Sequence, residues 1–186
     1  MCSKSLLFLL AFCLLSGPSA QAKVFLSVQE ALETSFPKSE GCEVKTANRY
    51  LTAEQMKQAE SLSGFPTTSA LIIQYSGTCG GKLKGRAYTD THRVRTHPET
   101  LFMWVDANGV LQKTEVLSFD EPLDYIPKTQ WYQTFEKKKL DGELQIKRGI
   151  PFVTGASLTG QATLQATRRV LAIDQILTQI KLSDKK

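Results

Sequence analysis

The spacing of apolar and polar positions in the first third of the chain predicts two amphipathic helices. In the segments VQEALETSF and AEQMKQAESLS, apolar residues recur three and four positions apart, as on one face of a helix. Each segment follows a capping box, Ser27 with Glu30 in the first and Thr52 with Gln55 in the second. Between the two helices, GCEVKTANRY indicates a short strand.

From Ser69 onward the pattern is that of β-strands. The segments SALIIQYSG and LKGRAYTDTHRVRT are rich in branched and aromatic residues and are separated by the turn TCGGK. The segments ETLFMWVD and VLQKTEVLSF form a second predicted hairpin, because Asn108 and Gly109 between them are favoured turn residues. Four strands joined in this order predict an antiparallel sheet.

The last third of the chain predicts helices again. TQWYQTF indicates a short helix, and the apolar positions of QATLQATRRVLAIDQILTQI, from Ala162 to Ile180, predict a helix of about twenty residues. Ser157 or Thr159 is the expected N-cap of this long helix. Arg168 and Arg169 are expected to point outward.

These elements together predict an α+β fold. It is expected to contain an antiparallel sheet of about four to five strands, with two N-terminal helices and a long C-terminal helix packed on it. Residues 23–182 have the length of a single domain, and the charged residues 183–186 are expected to form a disordered tail.

The first 22 residues predict export. One lysine, Lys4, precedes an apolar run that is too short to span a bilayer, and Ala20 and Ala22 form an A-x-A cleavage pattern. Residues 1–22 are therefore interpreted as a signal peptide. The mature protein is expected in the periplasm or on the outer face of the cytoplasmic membrane.

Cysteine content and charge narrow the function classes. Removal of the signal leaves Cys42 and Cys79, which are expected to form a disulfide in an exported protein. The sequence lacks a C-x-x-C motif, so a redox-active cysteine pair is not expected. The formal charge of +5 falls to +4 without Lys4, and the basic residues are scattered, so nucleic-acid binding is not expected. The chain has two histidines and no ligand spacing typical of a zinc site, so a metal site is not expected.

The stretch PFVTGASLTGQAT places a turn of small residues directly before the long helix. The start of a helix carries unpaired amides and the positive end of the helix dipole, which favour an anion. The same residues also fit a plain helix cap. A third interpretation is a serine hydrolase with Ser157 as nucleophile, but the sequence lacks a G-x-S-x-G elbow.

The turn and two upstream segments resemble the FMN-binding domain family. VTGASLTGQATLQATRRVLA is similar to the family pattern [S/T]-G-A-[T/S]-x-[T/S] followed by a helix, and THRVRTHPETL and VLSFDEPLDY are similar to segments of exported, stand-alone members. The resemblance covers roughly residues 25–177. The family includes flavin-carrying subunits of the sodium-translocating NADH:quinone oxidoreductase and of the Rnf complex.

The resemblance implies an exported flavoprotein that relays electrons for a membrane-associated redox system. It implies an FMN phosphoester on Ser157, made from FAD by a separate flavin transferase, and an electron donor that is a membrane redox complex or is linked to quinone or NADH. Ser157 stands where threonine is usual, and Pro151 stands where the family has aspartate. The predicted cofactor-binding residues are Thr154, Gly155, Ala156, Ser157, Leu158, Thr159, Glu121, His92 and Arg95.

Two alternatives to the flavoprotein remain open at this stage, the serine hydrolase at Ser157 and a module without cofactor. A chain that keeps the fold and has lost the cofactor would act as a binding or accessory module. Bound flavin separates this alternative from the electron carrier.

Overall fold

The computed structural model describes residues 23–183, with side chains up to Gln179. The predicted signal peptide and the last three residues of the predicted tail lie outside the described residues. The helices are α1 (Val28–Ser35), α2 (Ala53–Ser63), α3 (Thr129–Gln133) and α4 (Ser157–Ser183), and single 3-10 turns cover Lys38–Glu40 and Leu123–Tyr125. The strands are β1 (Lys23–Val24), β2 (Cys42–Tyr50), β3 (Leu71–Cys79), β4 (Lys82–Arg93), β5 (Pro98–Asp106) and β6 (Leu111–Phe119).

The predicted α+β fold is confirmed, with a sheet larger than expected. All six strands form one antiparallel sheet in the order β1-β6-β5-β4-β3-β2. The additional strand is β1, two residues that pair with the end of β6. A segment this short has no alternating pattern of its own, so its pairing depends on the strand beside it.

Both predicted capping boxes are confirmed, and they define where α1 and α2 begin. The Ser27 side chain accepts from the Glu30 amide while the Glu30 side chain accepts from the Ser27 amide, and Thr52 and Gln55 repeat this arrangement. Gly64 ends α2 with a φ of 80°, a left-handed conformation that suits glycine. Local sequence therefore determines the position of these two helices.

The helices cover the two faces of the sheet unequally. α2, α3 and α4 pack on one face, where Tyr88, Met103 and Val105 meet the apolar side of α4. α1 covers part of the other face, which carries Ala87 and Phe102. Successive residues of β4 and β5 thus enter opposite cores, as the two-residue period of a strand requires.

The expected disulfide between Cys42 and Cys79 is present. These residues lie directly opposite each other in the β2–β3 pair. The bond therefore closes the ends of two adjacent strands. Within the described residues, no helix has the length and apolar character needed to cross a membrane.

Candidate cofactor-binding cleft

A cleft of about 210 Å³ opens at the N-terminus of α4. Its walls come from three separate stretches of the chain: Val94 and Arg95 after β4, Glu121 and Tyr125 after β6, and the turn residues 155–159. Seven of the nine predicted cofactor-binding residues line it. The fold therefore brings to one place residues from THRVRTHPETL, VLSFDEPLDY and the turn before the long helix.

The backbone of the turn is set by two glycines with different roles. Gly155 has a φ of 82°, so a side chain there is strained even though an added Cβ would meet nothing within 4 Å. At Gly160 an added Cβ would lie 2.9 Å from Val153 and 3.3 Å from Trp131. Trp131 Nε1 also donates to the Pro151 carbonyl at 2.8 Å. The turn is thus anchored on α3 before it enters the cleft.

The first turn of α4 has no side-chain cap. The helix begins at Ser157, and the Ala156 carbonyl accepts its first intrahelical bond. The prediction that Ser157 or Thr159 caps the helix is wrong, because Ala156 occupies the N-cap position and neither hydroxyl accepts from a first-turn amide. The two hydroxyls donate to the carbonyls of Val153 at 3.4 Å and Tyr125 at 2.6 Å. No side chain of the described residues accepts from the first-turn amides, so these donors remain available to an anion.

The side chains of the turn divide into three groups. Ser157 lines the cleft, and its hydroxyl makes only the long bond to Val153. Thr159 is buried and its hydroxyl proton is committed to Tyr125, so it holds the turn against the neighbouring segment rather than serving as a donor to a ligand. Thr154 is exposed and is not among the lining residues.

Exposed apolar groups form another part of the cleft. Leu158 and Tyr125 are both large, exposed side chains that line it. An exposed leucine beside an exposed tyrosine offers a surface on which a planar aromatic ring can pack. The amides and this apolar surface together suit a ligand with an anionic end and an aromatic end.

Arg95 supplies positive charge at the edge of the cleft. Its side chain is exposed, and within the described part of the chain its guanidinium makes no hydrogen bond or ion pair. An arginine without an internal partner is free to bind a phosphate or another anion.

Glu121 organises the loop that presents Arg95. Its carboxylate is 5% exposed and accepts hydrogen bonds from the amides of Arg95, Thr96 and His97. Burial opposes ionisation, but these amide bonds outweigh it and lower the pKa of Glu121 to about 2. Glu121 is therefore a positioning residue in the cleft, with its charge already compensated by the loop.

His92 is not among the residues that line the cleft. It is buried between two carboxylates, with Nδ1 2.9 Å from Asp90 and Nε2 3.0 Å from Glu99. Burial disfavours the imidazolium, but the hydrogen bonds to both carboxylates outweigh this, so the pKa of His92 is raised. The structure therefore gives no support to the prediction of a flavin contact at His92.

Arg169 completes the same buried cluster. Its guanidinium pairs with Asp90 at 2.9 Å, so the prediction that Arg169 points outward is wrong. Arg168 donates to the carbonyls of Ser63, Asp141 and Leu144. The helical pattern placed both arginines on a polar face, but that face is covered by other elements.

A serine hydrolase site is not assembled around Ser157. In the described part of the chain, neither histidine is hydrogen-bonded to Ser157: His92 binds two carboxylates, and His97 contacts Thr96 and Glu121. The nucleophile therefore lacks the adjacent base that such chemistry needs. Nor do the described residues contain a cluster of side chains that could hold a metal ion.

Comparison with known proteins returns no relative. No protein-family model matches the chain, and neither curated proteins nor solved structures give a significant match.

Two lining residues were missed by sequence reasoning. Tyr125 ends the segment VLSFDEPLDY and Val94 lies within THRVRTHPETL, so both belonged to segments already singled out. Val94 has no polar side chain, and a tyrosine such as Tyr125 is as common in packing as in ligand binding. Only the tertiary fold places them beside the turn.

Proposed function

We propose that this protein binds FMN in the cleft and carries electrons for a membrane-associated redox system. The observation that supports the proposal best is the meeting of Arg95, Glu121 and residues 155–159 in one cleft. These positions come from three separate segments, each of which resembles the FMN-binding domain family. A plain helix cap would not require the other two segments to be there.

The donor groups of the cleft fit the two ends of FMN. The free first-turn amides of α4 would hold the phosphate, and the Arg95 guanidinium would add positive charge. Leu158 and Tyr125 would pack against the apolar part of the ring system. When bound, FMN supplies one- or two-electron redox chemistry, while the protein binds it, orients it and limits its contact with water.

Ser157 is the proposed attachment point. Its hydroxyl would form a phosphoester with the FMN phosphorus of FAD, the pyrophosphate bond would break, and AMP and the hydroxyl proton would leave. A flavin transferase is the proposed catalyst. Pro151 in the place of the family's aspartate bears on recognition by that enzyme, so binding and attachment are tested separately.

The proposed location is outside the cytoplasm, in the periplasm or on the outer face of the cytoplasmic membrane. The signal-like sequence of residues 1–22 and the Cys42–Cys79 disulfide support this proposal, because disulfides persist in export compartments. The proposed electron donor is a membrane redox complex or a quinone- or NADH-linked protein.

The first test is intact mass and in-gel flavin fluorescence of protein co-expressed with a flavin transferase. The expected result is a mass gain of one FMN moiety in the wild type and none in Ser157→Ala. Ser157→Thr should retain the gain, because it keeps the hydroxyl. Thr159→Ala should retain it too, because the Thr159 hydroxyl is committed to Tyr125.

A parallel titration of unmodified protein with free FMN separates binding from attachment. Quenching of flavin fluorescence without a mass gain would support a non-covalent FMN protein. The absence of both a mass gain and quenching would contradict the proposal. It would favour the accessory module that keeps the fold without the cofactor.

A further inference from the structure

The sheet divides between β3 and β4. Residues 75–79 of β3 pair with residues 82–87 of β4, but the pairing stops there. Beyond that point residues 71–74 pair only with β2, and residues 88–93 pair only with β5. Two strands that are neighbours at one end therefore have no ladder between them at the other.

A cavity of about 230 Å³ occupies the place where the ladder is missing. It is lined by residues 71–73 of β3 and 88–91 of β4, with Arg169, Val170 and Ile173 of α4 and the loop residues 67–69. At its inner end, Gln74 Nε2 donates to Tyr88 Oη at 2.8 Å. We call this cavity the split-sheet groove.

The groove offers backbone groups on both sides. Each strand uses its hydrogen-bonding groups toward one neighbour only, so the alternate amides and carbonyls of 73–74 and 88–91 have no strand partner on the groove side. The amide and carbonyl of Leu71 are bonded to the Ser69 hydroxyl, which a bound strand would have to displace. Such edges are templates for an additional strand. The free groups of β3 on one side and of β4 on the other border the groove, where an extended peptide would lie.

The side chains around the groove differ between the two faces of the sheet. On one face, Leu71 and Ile73 are 42% and 40% exposed, and Tyr50 opposite Leu71 is also exposed. On the other face lie the Asp90–Arg169 ion pair and Thr67, whose hydroxyl is buried without a hydrogen-bond partner. An extended ligand would thus have one apolar and one polar environment.

We infer that the split-sheet groove binds an extended peptide segment of a partner protein. About four residues would insert between β3 and β4, antiparallel to one strand and parallel to the other. Alternate side chains would be apolar beside Leu71 and Ile73, and hydroxyl- or amide-bearing beside Thr67 and Arg169. This inference does not depend on FMN, because the groove and the FMN cleft share no lining residue.

The test uses the full chain and the synthetic peptide acetyl-Lys-Val-Thr-Val-Thr-Val-Lys-amide. Peptide titration should shift and protect the groove-side backbone amides among residues 71–74 and 88–91 in an isotope-labelled sample, with a Kd below about 1 mM. No shift at a peptide concentration of about 1 mM would overturn the inference.

Backbone methylation of the peptide separates insertion from simple edge pairing. One peptide is N-methylated at its valines and a second at its threonines, so that each loses the donors on one side. Insertion between two strands predicts binding about tenfold weaker or worse for both peptides. Weakening of only one peptide would show pairing to a single edge and overturn the insertion.

Protein variants locate the site. Ile73→Lys places a charge beside the groove and should weaken peptide binding about tenfold. Val44→Lys, at a residue 36% exposed on the adjacent β2, is the matched control and should bind as the wild type does. Equal binding by Ile73→Lys would overturn the assignment. A second result would also overturn it: the protein binds no peptide but forms a dimer, and Ile73→Lys disrupts that dimer. The groove would then be the contact with a second copy of the chain.

Discussion

The N-termini of α1 and α2 differ from that of α4 in how their amides are satisfied. α1 and α2 each begin with a complete capping box, in which Ser27 with Glu30 or Thr52 with Gln55 supplies the acceptors. α4 begins after Ala156, which has no side-chain acceptor, and it opens onto a cleft. The starts of α1 and α2 are thus closed by their own sequence, while the start at the candidate site is left open, as is that of the short helix α3.

The same contrast divides the two walls of the cleft. The loop amides of Arg95, Thr96 and His97 are satisfied by the buried carboxylate of Glu121. The amides of the facing α4 turn have no such partner among the described residues. One wall therefore has its shape fixed internally, and the other keeps its donors for a ligand.

Removal of the internal acceptor should have the largest effect on stability. In Glu121→Gln the loop amides lose a charged acceptor, and we expect the free energy of unfolding at neutral pH to fall by roughly 2 kcal/mol. Because the folded-state pKa is lowered, this stabilisation is present above the ordinary value of 4.5 and is lost as the pH falls toward about 2. Urea denaturation of wild type and variant across that range measures it.

The matched control for this experiment is Glu43→Gln, an exposed carboxylate on β2. Asp90 also has a lowered pKa, since hydrogen bonds to His92 and Arg169 outweigh its burial. The wild type and Glu121→Gln therefore both retain the acid sensitivity that comes from Asp90. The difference in acid sensitivity between these two proteins is the contribution of Glu121 to the loop. Equal acid sensitivity of the two would contradict the role given to Glu121.

Removal of charge from the open side should weaken FMN binding with little change in stability. We expect Arg95→Gln to raise the Kd for free FMN about tenfold, equivalent to ~1.4 kcal/mol, because the guanidinium has no structural partner to lose. Fluorescence quenching measures the Kd. Arg148→Gln removes another exposed arginine, outside the cleft, and should leave the Kd unchanged. A similar loss in both variants would indicate a general charge effect.

The smallest effects should come from exchanging the two kinds of helix start. Ser27→Ala should lower the free energy of unfolding by about 1 kcal/mol without changing FMN affinity. Ala156→Ser adds an acceptor at the open start of α4, so it should stabilise the unliganded protein by roughly 0.5 kcal/mol and weaken FMN binding. Urea denaturation and FMN titration of both variants test this. Tighter FMN binding by Ala156→Ser would contradict the idea of competing acceptors.

Most elements could be predicted from the sequence because their signals are local. The capping boxes, the Asn108–Gly109 turn and the alternation along β4 and β5 each depend on residues close in the chain. The predicted site was found where a motif coincided with an element boundary, at residues 155–159. Sequence reasoning failed at Arg169, which is buried by a partner distant in the chain, Asp90. It also failed at His92, whose partners Asp90 and Glu99 are near in the chain but meet it only through the pairing of β4 with β5.

The sequence by itself determined the α+β class, the helix starts of α1 and α2, the disulfide pair and the position of the small-residue turn. Tertiary structure alone decided that Tyr125 and Arg95 face this turn, that its hydroxyls leave the α4 amides free, and that β3 and β4 separate beyond Tyr75. The physical reason is the separation along the chain of the residues that decide each feature. Caps and strand periods are set by neighbours in the chain, whereas a cleft or a split in a sheet depends on how distant segments pack together.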